Sequence, residues 1–385
     1  MNCPEQGNNF ELAMKQINEQ GFDGMGAAIQ ILINAAMKIE REQFLGASSY
    51  ERSDERSGYA NGFKPKMVKT RLGALDFKVP QVRDSSFYPS SLTKGLRSEQ
   101  ALRIAVAEMY FQGVSTRKVT AIMEQLCGLD MTSTQVSRAS AELDKEFTLW
   151  RTRDLGAYPY VFFDARYESI RHGGCVVDCA VLTAIGISPD HKREVLGVSI
   201  SLSEAEVHWR AFFSSLQSRG LKGIHLIISD DHAGLKAARK SVFPSIPWQR
   251  CHFHLQQNAQ KYVPKKDLKK KVASSIRSIF NAPNREEAES MLERTILEYQ
   301  KEAPSLSEWM GKNLAEGFTV FSFPEGHRKY LRTSNISERL NKEIKRRTRV
   351  ATIFPNEDSC LRLVTAIVME VSEEWISTKA YLPKE

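Results

Sequence analysis

The middle of the chain carries short apolar runs separated by amphipathic segments. Runs rich in Val, Ile, Leu and aromatic residues, bounded by polar or turn-forming residues, are typical of buried strands. They predict strands at 160–164, 175–187, 194–201, 224–229 and 248–251. A helical pattern separates the third run from the fourth, and there Ser203 and Glu206 are predicted to cap the helix and Gly220 to end it.

This element order predicts an α/β fold with a mixed sheet flanked by helices. Three strands in succession, then helix, strand, helix and strand, match the order of a ribonuclease-H-like core, in which the first and fourth strands lie side by side. The segment 264–325 interrupts the alternation with charged sequence whose apolar residues, such as Ala288 and Leu292, share one helix face. We therefore expect an all-helical insertion within the core.

The N-terminal part of the chain is predicted to be mainly helical, with one small hairpin. An apolar face over 24–45 predicts a helix that ends at Gly46. Alternating apolar and polar residues over 75–79 predict a strand that pairs with 66–70 across a turn at 72–73. The hairpin is rich in lysine and arginine, and could either contact phosphates or present a solvated edge protected by its lysines.

The region 96–152 has the pattern of a helix-turn-helix. Ser115 is predicted to cap one helix, Gly128 to break it, and Thr132 with Gln135 to form a capping box for the next helix. Many helical hairpins have this pattern without binding DNA, so both interpretations stay open. The candidate DNA-binding side chains of the N-terminal part are Lys69, Arg71, Arg117, Gln135 and Arg138.

These patterns predict six segments. They are a helical segment (1–47), a linker with the basic hairpin (48–95), the helix-turn-helix-like region (96–152), the first part of the α/β core (153–263), the helical insertion (264–325) and a final helical part of the core (326–385).

Composition fits a soluble intracellular protein with a modest preference for anionic partners. The 385 residues include 54 basic and 46 acidic side chains, which gives a net charge of +8 and a pI of about 9.1. Six cysteines are too thinly spread for a disulfide framework. No signal peptide or membrane-spanning run is recognisable, so we expect a cytoplasmic protein without a membrane partner.

Three acidic residues carry the candidate chemistry. Asp164 and Asp230 each follow a predicted strand, so a parallel sheet could bring them together, and Glu338 lies in the first turn of a predicted helix. Carboxylate oxygens bind Mg²⁺ or Mn²⁺, and paired ions stabilise both oxygens of an in-line displacement at phosphate. Beyond Glu338 the helix becomes basic, and its candidate phosphate contacts are Lys342, Lys345, Arg346 and Arg349.

Ordered motifs along the chain resemble those of bacterial Mutator-type insertion-sequence transposases. They are FDA at 163–165, EVLG at 194–197, SE at 203–204, RGL at 219–221, SD at 229–230, WQRC at 248–251 followed by His254, and TSNISERLN at 333–341. Each string is weak by itself, but so many in the right order are highly specific. The resemblance extends over about 59–364. Ala60 and Gln81 stand where the family would have arginines, which affects the predicted DNA-binding part.

The resemblance implies a DDE transposase in which Asp164, Asp230 and Glu338 are the metal-binding catalytic acids, with Mg²⁺ as cofactor and Mn²⁺ as a substitute. It implies binding to terminal inverted repeats and to target DNA, strand cleavage, and strand transfer through a circular intermediate. A homodimer or larger assembly follows because two element ends must be held together. In a bacterial cell, DNA binding would place the protein at the nucleoid.

Neighbouring residues leave two alternatives open at this site. Asp231 could replace Asp230 as the ligand; otherwise Asp231 and His232 are expected to cap a helix or support the ligands. Cys251 and His254 suggest zinc, but structural zinc normally takes four ligands. We therefore do not expect zinc, and expect the Cys-x-x-His feature to pack or hydrogen-bond near the active site.

Two other functions fit the same residues. A structure-selective nuclease on the same fold would hydrolyse DNA without strand transfer. A domesticated DNA-binding regulator would bind without cutting, although the presence of all three acids argues against it.

Overall fold

The computed structural model describes residues 4–48, 51, 56–83, 86–92, 94, 100–127, 129–141, 143–349 and 353–383. Backbone packing divides the chain into two units, Met1–Glu142 and Leu143–Glu385, and each unit has apolar cores of its own. The division falls inside the region predicted as helix-turn-helix-like, whose last helix belongs to the second unit. Within the described ranges, no helix has the length and apolar character needed to cross a membrane.

The first unit contains helices and a two-stranded hairpin. Its elements are α1 (Pro4–Gln20), α2 (Met25–Leu45), β1 (Ala60–Thr70), β2 (Gly73–Val82), α3 (Gln100–Phe111), α4 (Thr116–Cys127) and α5 (Ser133–Ala141). The predicted helix end is confirmed, because Gly46 follows α2 with a φ of 65°. The predicted hairpin is also confirmed, with a turn shifted to Arg71 and Leu72 because Thr70 pairs with Gly73.

Helices α3, α4 and α5 share one apolar core, and both predicted helix caps are present. The Ser115 hydroxyl accepts a hydrogen bond from the Lys118 N–H at 3.4 Å. The Thr132 N–H donates to Gln135 Oε1 at 2.9 Å, while the Gln135 N–H donates to Thr132 Oγ1 at 3.3 Å. This reciprocal pair is the predicted capping box, and it sets the start of α5. Gly128 lies outside the described residues.

The second unit contains one mixed sheet and the remaining helices. Its elements are α6 (Asp144–Thr152), β3 (Tyr160–His172), β4 (Cys175–Ile187), β5 (Arg193–Ser201), α7 (Glu206–Ser218), β6 (Leu226–Ser229), α8 (Ala233–Val242), β7 (Trp248–Arg250), α9 (His252–Ala259), α10 (Leu268–Phe280), α11 (Arg285–Tyr299), α12 (Pro304–Asn313), α13 (Glu325–Leu331), α14 (Asn335–Thr348) and α15 (Glu357–Ser377). All five predicted strands are therefore present.

The sheet has the strand order β5-β4-β3-β6-β7. Strands β5, β4 and β3 pair antiparallel, whereas β3, β6 and β7 pair parallel. The predicted neighbours, the first and fourth strands, are thus adjacent. Helix α7 packs on one face, where Trp209 and Phe213 meet Val161 and Phe163. Helices α14 and α15 contact strands of the same sheet, and α14 bonds to β3 from the opposite face.

Strand β3 continues well past the residue at which the sequence predicted its end. Asp164 lies inside a 13-residue strand rather than after it. The polar side chains beyond Asp164 have partners in the folded chain. Arg166 pairs with Glu168 at 2.6 Å, and the Thr348 hydroxyl of α14 donates to Glu168 at 3.0 Å. Polar side chains can therefore line this strand because a helix supplies their partners.

The predicted cap of α7 is wrong. Ala205 occupies the N-cap position, and no side chain caps the helix. The Ser203 hydroxyl instead accepts from the Ala205 N–H at 3.4 Å, two residues further on. Glu206 stays exposed in the first turn of the helix, where its negative charge interacts favourably with the helix dipole.

The segment predicted as an insertion lies between β7 and α14. Residues 264–325, all of them described, form helices and connecting turns without a strand. Their apolar side chains enclose a separate core, to which α9 also contributes, with Ile276, Leu292, Leu306 and Met310 at its centre. The helical part thus stabilises itself next to the sheet rather than extending it.

Candidate active site

Asp164 lies on β3, and Asp230 directly follows β6, the neighbouring parallel strand. The parallel register pairs Tyr160 with Leu226 and Phe162 with Ile228. Asp164 and Asp230 lie two residues beyond Phe162 and Ile228, respectively. Because alternate residues of a strand point to opposite faces, Asp164 lies on the face away from Phe163 and the α7 core. The topology therefore brings the two carboxylates together on the face where α14 packs.

The two carboxylates influence each other electrostatically. Burial and, after it, the charge of Asp230 raise the pKa of Asp164 to about 7. The Ala165 N–H donates to Asp164 Oδ1 at 2.9 Å and opposes the shift. The Asn341 side chain of α14 donates to Asp164 Oδ2 at 2.8 Å. Asp164 is thus held in place through both of its oxygens.

Glu338 lies one helical turn before Asn341, so both side chains leave α14 in similar directions. Its Oε1 atom is buried without a hydrogen-bond partner among the described residues. A buried carboxylate oxygen without a partner is costly unless a cation or donor satisfies it. Within the described ranges, however, no three His, Cys, Asp or Glu side chains already form a group that could hold a metal. The structure joins Asp164 with Asp230 and leaves Glu338 nearby but separate.

A further carboxylate, Glu204, lies in this region and was not singled out as a site residue from the sequence. Burial raises its pKa, while His232 and the Tyr167 hydroxyl lower it and Asp230 raises it again. His232 Nδ1 lies 3.4 Å from Glu204 Oε2. We call Asp164, Asp230 and Glu204 the carboxylate cluster. The sequence signal is the motif at 203–204, which contributes to the family resemblance without assigning Glu204 a role.

The alternative ligand, Asp231, points into different surroundings. Lys236 Nζ lies 3.0 Å from Asp231 Oδ1, and Arg250 Nη1 lies 3.1 Å from Asp231 Oδ2. The same two cations bind Glu316 at 2.7 and 2.9 Å. We call Asp231, Lys236, Arg250 and Glu316 the ion-pair network. Two positive and two negative charges balance there, so Asp231 serves to connect the sheet to the helical insertion.

Cys251 and His254 connect the carboxylate cluster to α14. The backbone N–H and hydroxyl of Ser334, the N-cap residue of α14, donate to Cys251 Sγ at 3.3 and 3.2 Å. A hydrogen bond with Cys251, against the effect of burial, raises the pKa of His254 to about 9, and the charges of Asp230 and Asp164 add to the rise. His254 is therefore a cation at neutral pH and offsets part of the negative charge.

The adjacent His252 has a structural role. Its Nε2 atom lies 2.6 Å from the Gly317 carbonyl oxygen, and its ring stacks on Phe280 with centroids 3.7 Å apart. Burial lowers its pKa to about 3, so the ring is neutral. His252 thus has partners of its own, apart from the hydrogen-bonded pair of Cys251 and His254.

The basic side chains of α14 fall into two groups. Lys342, Lys345 and Arg349 are exposed, and the described residues include no acidic side chain in an ion pair with them. Arg346 instead binds Glu343 through two nitrogens, at 2.9 and 2.6 Å. The first group is free to meet an anion, whereas Arg346 is already engaged on its own helix.

The five candidate DNA-binding residues of the first unit differ in exposure and in the contacts of their side chains. Arg71, Arg117 and Arg138 are exposed. Lys69 donates to the Asp130 carbonyl oxygen, and the Gln135 side chain is bound in the capping box. Lys69 and Gln135 thus use polar groups of their side chains within the first unit, whereas Arg117 and Arg138 extend from α4 and α5 into solvent.

Comparison with known proteins gives one consistent result. A family model described as "Transposase, Mutator family" matches residues 1–378. A transposase for insertion sequence element IS406 from Burkholderia multivorans is 55% identical over 377 residues, which is 97% of each chain. The transposase for ISRM5 from Rhizobium meliloti is 38% identical over 98% of this chain and 95% of its own. The transposase for IS256 in transposon Tn4001 from Staphylococcus aureus is 35% identical over 91% of each chain.

Proposed function

Because the chain belongs to the Mutator family of transposases, we propose that it binds the terminal inverted repeats of an insertion sequence and cuts and joins DNA strands there. Relatives named as insertion-sequence transposases match nearly its whole length. The observation that carries the chemical part of the proposal is the placement of Asp164, on β3, near Asp230, which follows the neighbouring parallel strand β6, beside α14.

The second unit is proposed to be a ribonuclease-H-like core with a helical insertion. Three antiparallel strands followed by two parallel ones, in the order β5-β4-β3-β6-β7, support this assignment. Asp164 lies on β3 and Asp230 directly follows β6, its parallel neighbour, while α14 carries Glu338 one helical turn before Asn341, which binds Asp164. The insertion has its own core, so it can be accommodated without disturbing the sheet.

Asp164, Asp230 and Glu338 are the residues that would hold Mg²⁺ or Mn²⁺. The donor set fits, since all three are carboxylates and Glu338 Oε1 is buried without a protein partner among the described residues. Like charges repel one another, so three carboxylates need a cation to be drawn closer together. When bound, such ions supply the positive charge that stabilises the attacking and leaving oxygens of a displacement at phosphate.

The chain's own residues would bind and orient the DNA. Lys342, Lys345 and Arg349 lie on the side of α14 that also carries Glu338, so they would hold backbone phosphates beside the acids. Asn341 holds the Asp164 carboxylate in one orientation. In the first step water attacks a phosphodiester phosphorus and a 3′-oxygen leaves as a hydroxyl. In the second, that hydroxyl attacks another phosphodiester and displaces its 3′-oxygen.

The first unit is proposed to recognise the element ends. Its hairpin and the helices α3–α5 present Arg71, Arg117 and Arg138 to solvent. Two ends must be cut and joined in one reaction, so two or more copies of the chain would act together. Target DNA would then meet the same carboxylates in the second step.

A strand-transfer assay tests the proposal. Labelled duplexes carrying the element ends, taken from the inverted repeats that bracket the gene, are incubated with the full chain and Mg²⁺. Cleavage and joined products are expected. The variant Asp230→Asn is expected to reduce cleavage and joining by at least about 100-fold. Mutation of even an outer-shell partner of a metal ligand lowers metal affinity or activity by about 10–100-fold. Asp231→Asn is the matched control, and should cut DNA while unfolding at a lower temperature.

The other outcomes identify the competing functions. Hydrolysis without joined products would make the protein a nuclease, and binding without cleavage would make it a regulator. If Asp231→Asn abolishes cleavage while Asp230→Asn retains it, the assignment of the second acid is wrong.

A further inference from the structure

A second concave surface lies beside the start of α14. It encloses about 410 Å³, within the range of about 300–1,000 Å³ typical of small-ligand sites. We call it the basic pocket, and the side chains that define it are Arg193, Lys329, Arg332, Arg339, Tyr330 and Tyr381. None of the described residues that line it is Asp or Glu. Four cations therefore surround one cavity with no lining carboxylate between them.

Arg193 is the most constrained of these cations. Its guanidinium lies over the rings of Trp375 and Tyr381, 4.8 and 5.1 Å from their centroids. Its Nε atom is buried without a hydrogen-bond partner in the described part of the chain. Burial lowers the pKa of Arg193; Tyr381 opposes this shift, the charge of Arg339 adds to it, and Glu374 opposes it again. An unmatched donor and crowded positive charge are what an anion would satisfy.

The other members of the pocket are placed to share that anion. Lys329 and Arg339 are exposed, and no ion pair engages either of them among the described residues. Arg332 is held at one end, where Nη1 donates to Asn281 Oδ1 at 2.6 Å. Tyr330 and Tyr381 contact each other edge to face, with centroids 5.1 Å apart, and form an aromatic wall. This combination of arginine, lysine and tyrosine is typical of surfaces that bind the backbone of nucleic acids.

The position of the pocket indicates the source of the anion. Arg339 immediately follows Glu338 and lies on α14 before the exposed Lys342, Lys345 and Arg349. At about 1.5 Å per residue, the cations from Arg339 to Arg349 extend over about 15 Å, enough for several consecutive phosphates of one strand. We propose that the basic pocket binds a backbone phosphate of the DNA strand that crosses α14. This inference rests on the proposed function, because it names a further contact of the same DNA.

The test compares the salt dependence of DNA binding. A short labelled duplex of mixed sequence is titrated with the full chain at several salt concentrations, without divalent ions, and binding is followed by fluorescence anisotropy. The double variant Lys329→Gln and Arg339→Gln should reduce the slope of log affinity against log salt by about 0.9 for each lost phosphate contact. The matched control, Lys240→Gln with Lys301→Gln, removes two exposed lysines outside the pocket and should retain the wild-type slope. Circular dichroism confirms folding.

Three other outcomes separate the possibilities. A double variant with the wild-type slope would overturn the proposal. If inorganic phosphate raises the unfolding temperature of the wild type but not of the double variant, while the slopes agree, the pocket binds a free anion and the DNA assignment is wrong. If the slope falls as expected but the wild type cuts no DNA with Mg²⁺, the pocket assignment stands and the catalytic proposal fails.

Discussion

Asp230 and Asp231 are neighbours in the chain, yet they belong to two acidic regions of the second unit that balance their charges in opposite ways. In the ion-pair network, Asp231 and Glu316 face Lys236 and Arg250, and each cation contacts both acids. In the carboxylate cluster, two histidines lie near three acids, His254 near Asp164 and Asp230 and His232 near Glu204, and Asp164 has a strongly raised pKa. The network is organised for stability, whereas the repulsion within the cluster is relieved when Asp164 takes up a proton or when a cation is added.

The largest expected effect tests the network. The Arg250 side chain is only 3% exposed, so Arg250→Met leaves Asp231 and Glu316 with one cation between them. We expect the free energy of unfolding to fall by about 3 kcal/mol, as when one partner of a buried ion pair is removed. Denaturant unfolding measures the loss. Asp230→Asn, which relieves repulsion in the cluster, should leave this free energy unchanged or higher; equal losses in both variants would remove the distinction between the two regions.

The next effect is the pH dependence that the cluster imposes. The pKa of Asp164 is about 7 in the folded chain against 3.8 for the ordinary group, so the unfolded chain binds fewer protons between about pH 4 and 7. The free energy of unfolding should therefore decrease as pH rises through this range, by up to about 1.4 kcal/mol per pH unit from this group. Unfolding of the wild type and of Asp164→Asn in EDTA at several pH values checks this. Parallel pH profiles for the two proteins would contradict it.

The smallest expected effect concerns α14, where one cation has an acidic partner and another has none among the described residues. Lys342 has no acidic partner among the described residues, whereas Arg346 is bound by Glu343. Lys342→Gln should reduce the slope of log DNA affinity against log salt by about 0.9, the value for one phosphate contact. Arg346→Gln should change it less, because that charge is already balanced. Anisotropy titrations decide between them, and a larger change for Arg346→Gln would show that DNA displaces Glu343.

The sequence predicted most locally determined structure correctly, with the cap of α7 as an exception. Apolar runs produced the five strands, Thr132 and Gln135 cap α5, and Gly46 ends α2. It failed where a distant partner changes the outcome. The end of β3 was predicted too early, because the polar residues beyond Asp164 are satisfied by α14.

The site divides along the same line. Asp164 and Asp230 could be placed together from strand order alone, because parallel strands bring corresponding ends to one edge. Glu204 and Asn341 could not be found this way, since their relation to the acids depends on how α7 and α14 pack on the sheet. The motif resemblance selected Asp230 over Asp231, but the physical difference between them required knowledge of Arg250 and Glu316.

By itself, the order of residues determined the family, the strands and helices, and the acids proposed to carry the chemistry, because motifs and apolar periodicity are properties of short segments. Tertiary structure alone decided which charges are balanced and which are not. Arg346 is bound within its helix while Arg339 borders the basic pocket, and Asp231 forms two ion pairs while the described residues include none with Asp230. The reason is that electrostatic energy depends on distance and burial in space, which neighbours in sequence do not share.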